Sequence, residues 1–120
     1  MTPIASPERL DRTFAALANA TRRSIVFRLA EGEATVNELA APFAMKLPAI
    51  SKHIKILEQA GLISSSRRAQ YRICTLNPDG LDAVADWSKQ CRATWESRFD
   101  QMSEYLARIQ AGTGRGSTDE

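Results

Sequence analysis

The residues of this chain best suited to chemistry are cations spaced along one predicted helix. Lys52 and Lys55 stand three residues apart, which places them on the same side of an α-helix. Lys46 stands at the start of that helix, and the only histidine of the chain, His53, lies beside the lysines. Ammonium and imidazole N–H groups donate hydrogen bonds to anionic oxygens. The spacing therefore predicts a surface that binds a polyanion, with a face of merely solvated lysines as the alternative.

Basic residues are concentrated around this helix. From Lys46 to Arg72 six bases stand against one acid, Glu58, which gives a net charge of +5. Because the 120-residue chain carries +2 in total, the remaining residues sum to −3. A basic centre in a mildly acidic frame favours a polyanionic partner at one face of the molecule.

The first two helices are indicated by the residues at their ends. Ser6 as N-cap, followed by Pro7, predicts the start of the first helix, which should end near Asn19. Thr21 is the predicted cap of the second helix, and Gly32 is its predicted stop. The apolar stripe of the first helix, at i, i+4 and i+7, consists of Leu10, Phe14 and Leu17.

A short third helix and the cation-bearing fourth helix follow. Thr35 and Glu38 have the spacing of a capping box, residues 42–44 break the third helix, and the turn to the fourth helix spans residues 42–46. The fourth helix is predicted over residues 48–60, with Gly61 as its C-terminal stop. Its inward stripe consists of Ile50, Ile54 and Leu57. We call the opposite side the outer stripe; it consists of Pro48, Ser51, Lys52 and Lys55.

After the fourth helix the pattern becomes strand-like. Leu62–Ser66 and Tyr71–Leu76 are predicted to form a two-stranded hairpin with a polar turn between them. No Asn-Gly or Asp-Gly pair marks this turn, so its type stays open. The basic residues of the hairpin are Arg67, Arg68 and Arg72.

A long last helix is predicted from Asn77-Pro78 to about Gln110, and the Gly/Ser/Thr-rich residues 111–120 are predicted to form a disordered tail. Apolar residues recur in this helix at heptad-like spacing. At about 1.5 Å per residue the helix spans roughly 45–50 Å, too long to be covered by so small a domain. The stripe therefore predicts a dimer interface, with packing on its own domain as the alternative. We call it the seam; it consists of Trp87, Cys91, Trp95, Phe99, Met102, Leu106 and Ile109.

Composition argues against several classes of protein. A single histidine, no Gly-rich phosphate loop and no evident pair of catalytic carboxylates argue against an enzyme. No apolar run approaches the ~18 residues that cross a bilayer, and the N-terminal segment lacks a signal-peptide pattern, so we expect a cytoplasmic chain. Cys74 and Cys91 form no CxxC pair and are expected to be reduced thiols, with a redox switch as the alternative.

Two helices joined by a short turn and followed by a basic hairpin have the arrangement of a winged helix-turn-helix. The major groove of B-DNA admits one helix, whose outward side chains meet base edges, while flanking cations contact phosphates. The predicted fold class is therefore mainly α with a small β-hairpin, in one domain over residues 1–110. The residues predicted to contact DNA are Lys46, Pro48, Ser51, Lys52, His53, Lys55, Arg67, Arg68, Gln70 and Arg72.

Three segments together resemble the ArsR-type (ArsR/SmtB-like) winged helix-turn-helix regulators. They are LANATRRSIVFRL at 17–29, ISKHIKILEQAGLI at 50–63 and WESRFDQMSEYLARIQ at 95–110, and the resemblance covers about residues 7–110. It implies homodimers joined through the first and last helices, binding to inverted-repeat DNA operators, and usually repression of transcription. The predicted dimer contacts are Leu10, Phe14 and Leu17 together with the seam.

The sequence departs from this family where many relatives sense metals. The segment that commonly carries a Cys-x-Cys site reads ATVNELA, with Thr35 and Asn37 and no cysteine, and the last helix has no histidine. Zinc requires several converging thiolate or imidazole ligands, so we expect no metal site and no cofactor. Whether the protein binds a small-molecule effector stays unknown. A pocket lined by Trp87 and Trp95 could bind one, and the absence of any effector is equally open. The functional alternatives are a protein-interaction module and a non-specific architectural DNA-binding protein.

Lys46 occupies the position at which many relatives have a helix-capping Ser. Lysine cannot accept a hydrogen bond from a backbone N–H, so the cap is lost at a cost of about 0.5–2 kcal/mol. A phosphate bound by the ammonium and the free N–H groups of the helix would offset that cost. We therefore predict that Lys46 contacts a phosphate.

Overall fold

The computed structural model describes residues 6–118, with side chains described through residue 112, as two compact units that meet in sequence between Asp86 and Trp87. The first unit contains four helices, a small sheet and the start of a fifth helix. In chain order the elements are α1 (Pro7–Leu17), α2 (Ala20–Ala30), β1 (Ala34–Thr35), α3 (Val36–Ala40), a 3₁₀ turn (Ala41–Phe43), α4 (Leu47–Gln59), β2 (Ile63–Arg68), β3 (Tyr71–Leu76) and α5 (Pro78–Thr118).

The helix caps follow the sequence prediction with one correction. The Ser6 hydroxyl accepts from the backbone N–H of Arg9 at 3.2 Å, and Thr35 and Glu38 form the predicted reciprocal capping box. The predicted cap of α2 at Thr21 is wrong, because α2 begins at Ala20 and is capped by Asn19, whose side-chain oxygen accepts from a backbone N–H at 3.1 Å. Asparagine is among the strongest N-caps, and here it stands two residues before the threonine.

The hairpin is part of a three-stranded antiparallel sheet with the order β1-β3-β2. The two-residue strand β1 was not predicted, because so short a segment carries no alternating pattern. Strand β2 continues to Arg68, two residues beyond the predicted end at Ser66, and pairs with β3 so that Arg67 faces Arg72. The turn is therefore reduced to Ala69 and Gln70, and Ala69 takes a positive φ of 58°. We call β2, β3 and this turn the wing.

The core of the first unit holds α4 by the side that the sequence predicted. Ile50, Ile54 and Leu57 are all completely buried. Around them pack apolar side chains of α2, α3 and β2. From α1, the buried hydroxyl of Thr13 donates to the carbonyl of Arg9 at 2.9 Å and lies 3.4 Å from the carbonyl oxygen of Ala60. The position of α4 is thus determined by packing along its whole inward side.

The second unit, described on its own, is the helical segment from Trp87 onward. The helix continues to Thr118 and does not end near Gln110, so the predicted tail is helical as far as Thr118; residues 119 and 120 lie outside the described range. Gly112, Gly114 and Gly116 led to the prediction of an end, but extending an existing helix costs far less than starting one. No helix in the described part of the chain is long and apolar enough to cross a membrane.

Candidate nucleic-acid interface

The N-terminus of α4 has the defect that the sequence predicted. Lys46 is the N-cap residue, and its side chain makes no capping hydrogen bond. Its backbone carbonyl accepts from the N–H groups of Ala49 and Ile50, at 3.0 and 3.2 Å. The exposed ammonium group therefore stands at the positive end of a helix that no side-chain oxygen caps, an arrangement that an anion would stabilise.

The outer stripe of α4 is accessible to solvent on the surface of the first unit. Pro48, Lys52 and Lys55 are exposed, and Ser51 is half-buried. Because the opposite side of the helix is completely buried, these side chains are presented by a rigid element and not by a mobile loop. Neither lysine forms an ion pair within the described residues, so both charges are available to an external anion.

The wing carries the second group of cations, and the structure separates its three arginines. Arg68 forms a two-bonded pair with the carboxylate of Glu33, at 3.0 and 3.3 Å. Arg72 donates to the carboxylate of Glu58 at 2.5 Å. The side chain of Arg67 makes no hydrogen bond or ion pair with any residue of the described range. Of the three predicted wing contacts, Arg67 is therefore the one that can meet a phosphate without first leaving a protein partner.

Glu58 connects the wing to the helix beside it. Its carboxylate on α4 accepts from Arg72 of β3 and, at 2.8 Å, from the hydroxyl of Ser65 on β2. Arg72 also donates to the Ser65 hydroxyl at 3.2 Å. The three side chains form a closed network that links both strands of the wing to the last turns of α4. Glu58 is the single acid in the basic stretch 46–72, and that isolation was the sequence signal for a structural partner.

His53 lies half-buried at the margin of the outer stripe, and Gln70 is exposed in the turn of the wing. Partial burial and the neighbouring Arg22 guanidinium lower the pKa of His53 below its ordinary value. Both effects favour the neutral imidazole. Sequence reasoning missed Arg22, because nothing in the spacing of residues 22 and 53 indicates that they meet.

Several known proteins are similar to this chain in sequence. The family model described as bacterial regulatory proteins of the arsR family matches residues 19–65. The HTH-type transcriptional regulator Rv2034 of Mycobacterium tuberculosis is 43% identical over 74 residues, which are 62% of this chain and 69% of that protein. The transcriptional repressor SdpR of Bacillus subtilis is 35% identical over 78 residues, 65% of this chain and 87% of that protein. This chain belongs to the ArsR family.

Solved structures agree with the fold of this ArsR-family chain. The crystal structure of the ArsR family transcriptional regulator RHA00566 has a TM-score of 0.74 and 41% sequence identity, covering 79% of this chain and 98% of that one. A homodimeric winged helix-turn-helix DNA-binding domain, Mb0332 from Mycobacterium bovis, has a TM-score of 0.58 and 26% identity, covering 74% and 81%. The predicted fold class, mainly helical with a small sheet in a winged helix-turn-helix, is confirmed.

The cysteines of this ArsR-family chain lie apart from the outer stripe. Cys74 is completely buried in β3, and burial raises the pKa of its thiol; Cys91 is exposed on α5. Within the described residues no group of three or more His, Cys, Asp or Glu side chains converges in a way that could hold a metal ion.

The predicted dimer residues are distributed over both units. In α1, Leu10 is half-buried, Leu17 packs against the core of the first unit, and Phe14 is 38% exposed. On α5 the aromatic rings of Trp95 and Phe99 lie 6.4 Å apart. The exposed residues of the seam are Trp87, Cys91, Trp95, Phe99, Met102, Leu106 and Ile109.

Proposed function

We propose that this chain is a sequence-specific double-stranded DNA-binding regulator of transcription, a homodimeric repressor that acts on inverted-repeat operators, one of them upstream of its own gene. The observation that carries the proposal is the two-sided construction of α4 in a member of the ArsR family. One side is completely buried, and the other presents unpaired lysines next to a basic wing.

In this proposal α4 lies in the major groove. Ser51 and Lys52 contact base edges or the nearest phosphates, and Lys55 contacts a phosphate. Pro48, with no N–H to satisfy, permits close approach at the first turn of the helix. Lys46 binds a phosphate together with the N-terminal end of the helix, where the partial positive charge of the backbone adds to that of the ammonium group.

The wing contacts the DNA backbone or an adjacent minor groove. Arg67 does so directly, and Gln70 is placed in the turn for a second polar contact. Arg68 and Arg72 can contact a phosphate only if they break or share their ion pairs with Glu33 and Glu58. Exposed ion pairs are worth only about 0–1 kcal/mol, so a phosphate can compete with these carboxylates.

The dimer is proposed to form through the seam and the exposed part of α1. Large apolar side chains exposed along one side of a helix mark an interface; Trp95 and Phe99 are 68% and 58% exposed. Repression is named for the relative SdpR, and a homodimer is named for the neighbour Mb0332. A two-fold dimer would set its two α4 helices about 34 Å apart along the DNA, or a multiple of that distance.

Two double variants test DNA binding by α4 and the wing. Lys52→Ala with Arg67→Ala removes two exposed cations from the proposed interface. Lys89→Ala with Arg108→Ala removes the same two residue types from exposed positions of α5 outside the seam. Binding to duplex DNA is measured across a series of salt concentrations.

We expect the first double variant to lose nearly all binding. The slope of log K against log salt should fall by about 0.9 for each phosphate that the variant no longer neutralises. The α5 double variant should bind like the wild type. Equal losses of affinity in both variants would indicate a non-specific charge effect and an architectural role. Intact regulation in cells by the first double variant would favour a protein-interaction module instead.

A further inference from the structure

The Arg22 side chain connects the end of α1 to the flank of α4. Its Nε donates to the carbonyl of Ala16 at 2.7 Å, and its Nη2 donates to the carbonyl of Ala15 at 3.2 Å. Both carbonyls belong to the last turn of α1, and that of Ala15 also accepts from the backbone N–H of Ala18 at 3.2 Å. These two hydrogen bonds hold the guanidinium against α1.

A third contact of Arg22 determines the protonation of His53. Nη1 of Arg22 lies 3.2 Å from Nδ1 of His53. A guanidinium has donors only, so Nδ1 must be the acceptor, and the proton of a neutral imidazole must be on Nε2. A protonated imidazole would carry a second positive charge and place an N–H opposite the guanidinium. The contact therefore selects the neutral imidazole with its proton on Nε2.

The other ring nitrogen is left for a partner outside the chain. Nε2 of His53 makes no hydrogen bond with the described residues. Every buried side-chain nitrogen or oxygen among these residues has a hydrogen-bond partner, so Nε2 is not one of the buried atoms. Nε2–H is therefore accessible to solvent. His53 follows exposed Lys52 directly in α4 and is itself half-buried.

We propose that Arg22 is a positioning residue of the DNA interface, which holds His53 as a neutral Nε2–H donor to a backbone phosphate oxygen at the edge of the groove. This inference rests on the proposed function and adds a specific chemistry to it. A neutral donor orients a phosphate without releasing a counterion, so it contributes to affinity but not to the salt dependence of binding.

The salt dependence separates this role from that of the lysines. The probe is a duplex selected from a random pool by binding to the wild-type chain. His53→Ala is expected to weaken binding about tenfold or more, the contribution of one hydrogen bond to a charged group, with an unchanged salt slope. Lys52→Ala, the control on the same helix, should lower the slope. Unchanged affinity of His53→Ala, or a reduced slope, would overturn the proposal.

The coupling between Arg22 and His53 is tested by a double-mutant cycle. Arg22→Lys keeps the charge but lacks the planar fork that contacts three acceptors at once. It should weaken binding by a similar factor in the wild-type background and have no further effect in the His53→Ala background. Equal losses of affinity in both backgrounds would mean that Arg22 acts on stability or contacts DNA itself, and would refute the positioning role.

The tautomer provides a readout that does not require the variant to fold. ¹⁵N NMR of the imidazole in the free wild-type chain should show a neutral ring protonated on Nε2, and a ring protonated on Nδ1 would overturn the proposal. If the random pool yields no duplex, the proposed function fails as a whole. If binding depends on Lys52 but not on His53, only this inference fails.

Discussion

Lys46 lowers the stability of the start of α4 and is proposed to bind a phosphate. It occupies the N-cap of α4 without making a capping bond, and its ammonium group stands at the positive end of the helix. Both features oppose the stability of the free protein, and both favour a bound phosphate. The residue is therefore a position at which stability and DNA affinity should change in opposite directions.

Lys46→Ser restores a cap and removes the cation. We expect the free energy of unfolding to rise by about 1 kcal/mol, measured by urea denaturation, and the salt slope of DNA binding to fall by about 0.9 per protomer. Lys89→Ser is the control: the same change on α5 should leave the slope as it was and should not raise the free energy of unfolding. A variant of Lys46 that keeps the wild-type slope would show that this lysine makes no phosphate contact.

Residue types and spacing were sufficient to predict which side of α4 faces outward, but not which cations have partners. Arg68 pairs with Glu33, which lies thirty-five residues earlier, and Arg22 meets His53 across thirty-one residues. Such contacts depend on how α4 and the sheet are placed, and periodicity within one element carries no information about them. The pairing of Glu58 with Arg72 was likewise not predicted, although a lone acid in a basic stretch could have indicated a partner nearby.

At the scale of elements, the start of α5 is fixed by a close approach that the sequence did not reveal. A Cβ placed on Gly80 would lie 2.7 Å from the carbonyl oxygen of Gly61 and 2.9 Å from the Leu62 side chain. Backbone atoms cannot yield as a flexible side chain does. The first turn of α5 can therefore pack against the end of α4 only because residue 80 has no side chain.

Two glycine substitutions in the same helix should have opposite effects on stability. Gly80→Ala forces an overpacked contact and should lower the free energy of unfolding by about 1–3 kcal/mol. A Cβ on Gly112 would meet no atom within 4 Å, so Gly112→Ala should raise it by up to about 1 kcal/mol through helix propensity. Thermal unfolding of both variants measures the difference, and equal tolerance at the two positions would contradict the packing described.

The ends of helices and strands could be predicted only where the signal lies in a few neighbouring residues. The capping box at Thr35 and the stop at Gly61 were predicted because their signals are local. The two-residue strand β1 was missed because it exists only through pairing with β3. The end of α5 lies beyond the predicted Gln110, because glycines that would not start a helix can extend one that already precedes them.

At the scale of the whole molecule, the exposed seam is the basis of the proposed dimer. Large apolar side chains are exposed along α5 beyond residue 87. An inverted-repeat operator requires two copies related by a two-fold axis. Loss of the dimer should therefore abolish tight operator binding even when every DNA-contacting residue is intact.

Phe99→Glu places a charge in the seam and should weaken the dimer about a hundredfold or more, because the carboxylate would be buried without a partner. Analytical ultracentrifugation over a range of concentrations measures this change. Ala107→Glu introduces the same charge at an exposed position outside the seam and should leave the dimer intact. Equal effects of the two substitutions would argue that the seam is not the interface.

A footprint tests whether a dimer of this chain binds a symmetric DNA site. The wild-type chain is added to the DNA immediately upstream of its own gene. We predict two protected segments related by two-fold symmetry, with centres about 10 base pairs or a multiple apart, and with protection abolished in the Lys52→Ala, Arg67→Ala variant. Absence of protection, or equal protection of the upstream DNA and an unrelated duplex, would contradict the account.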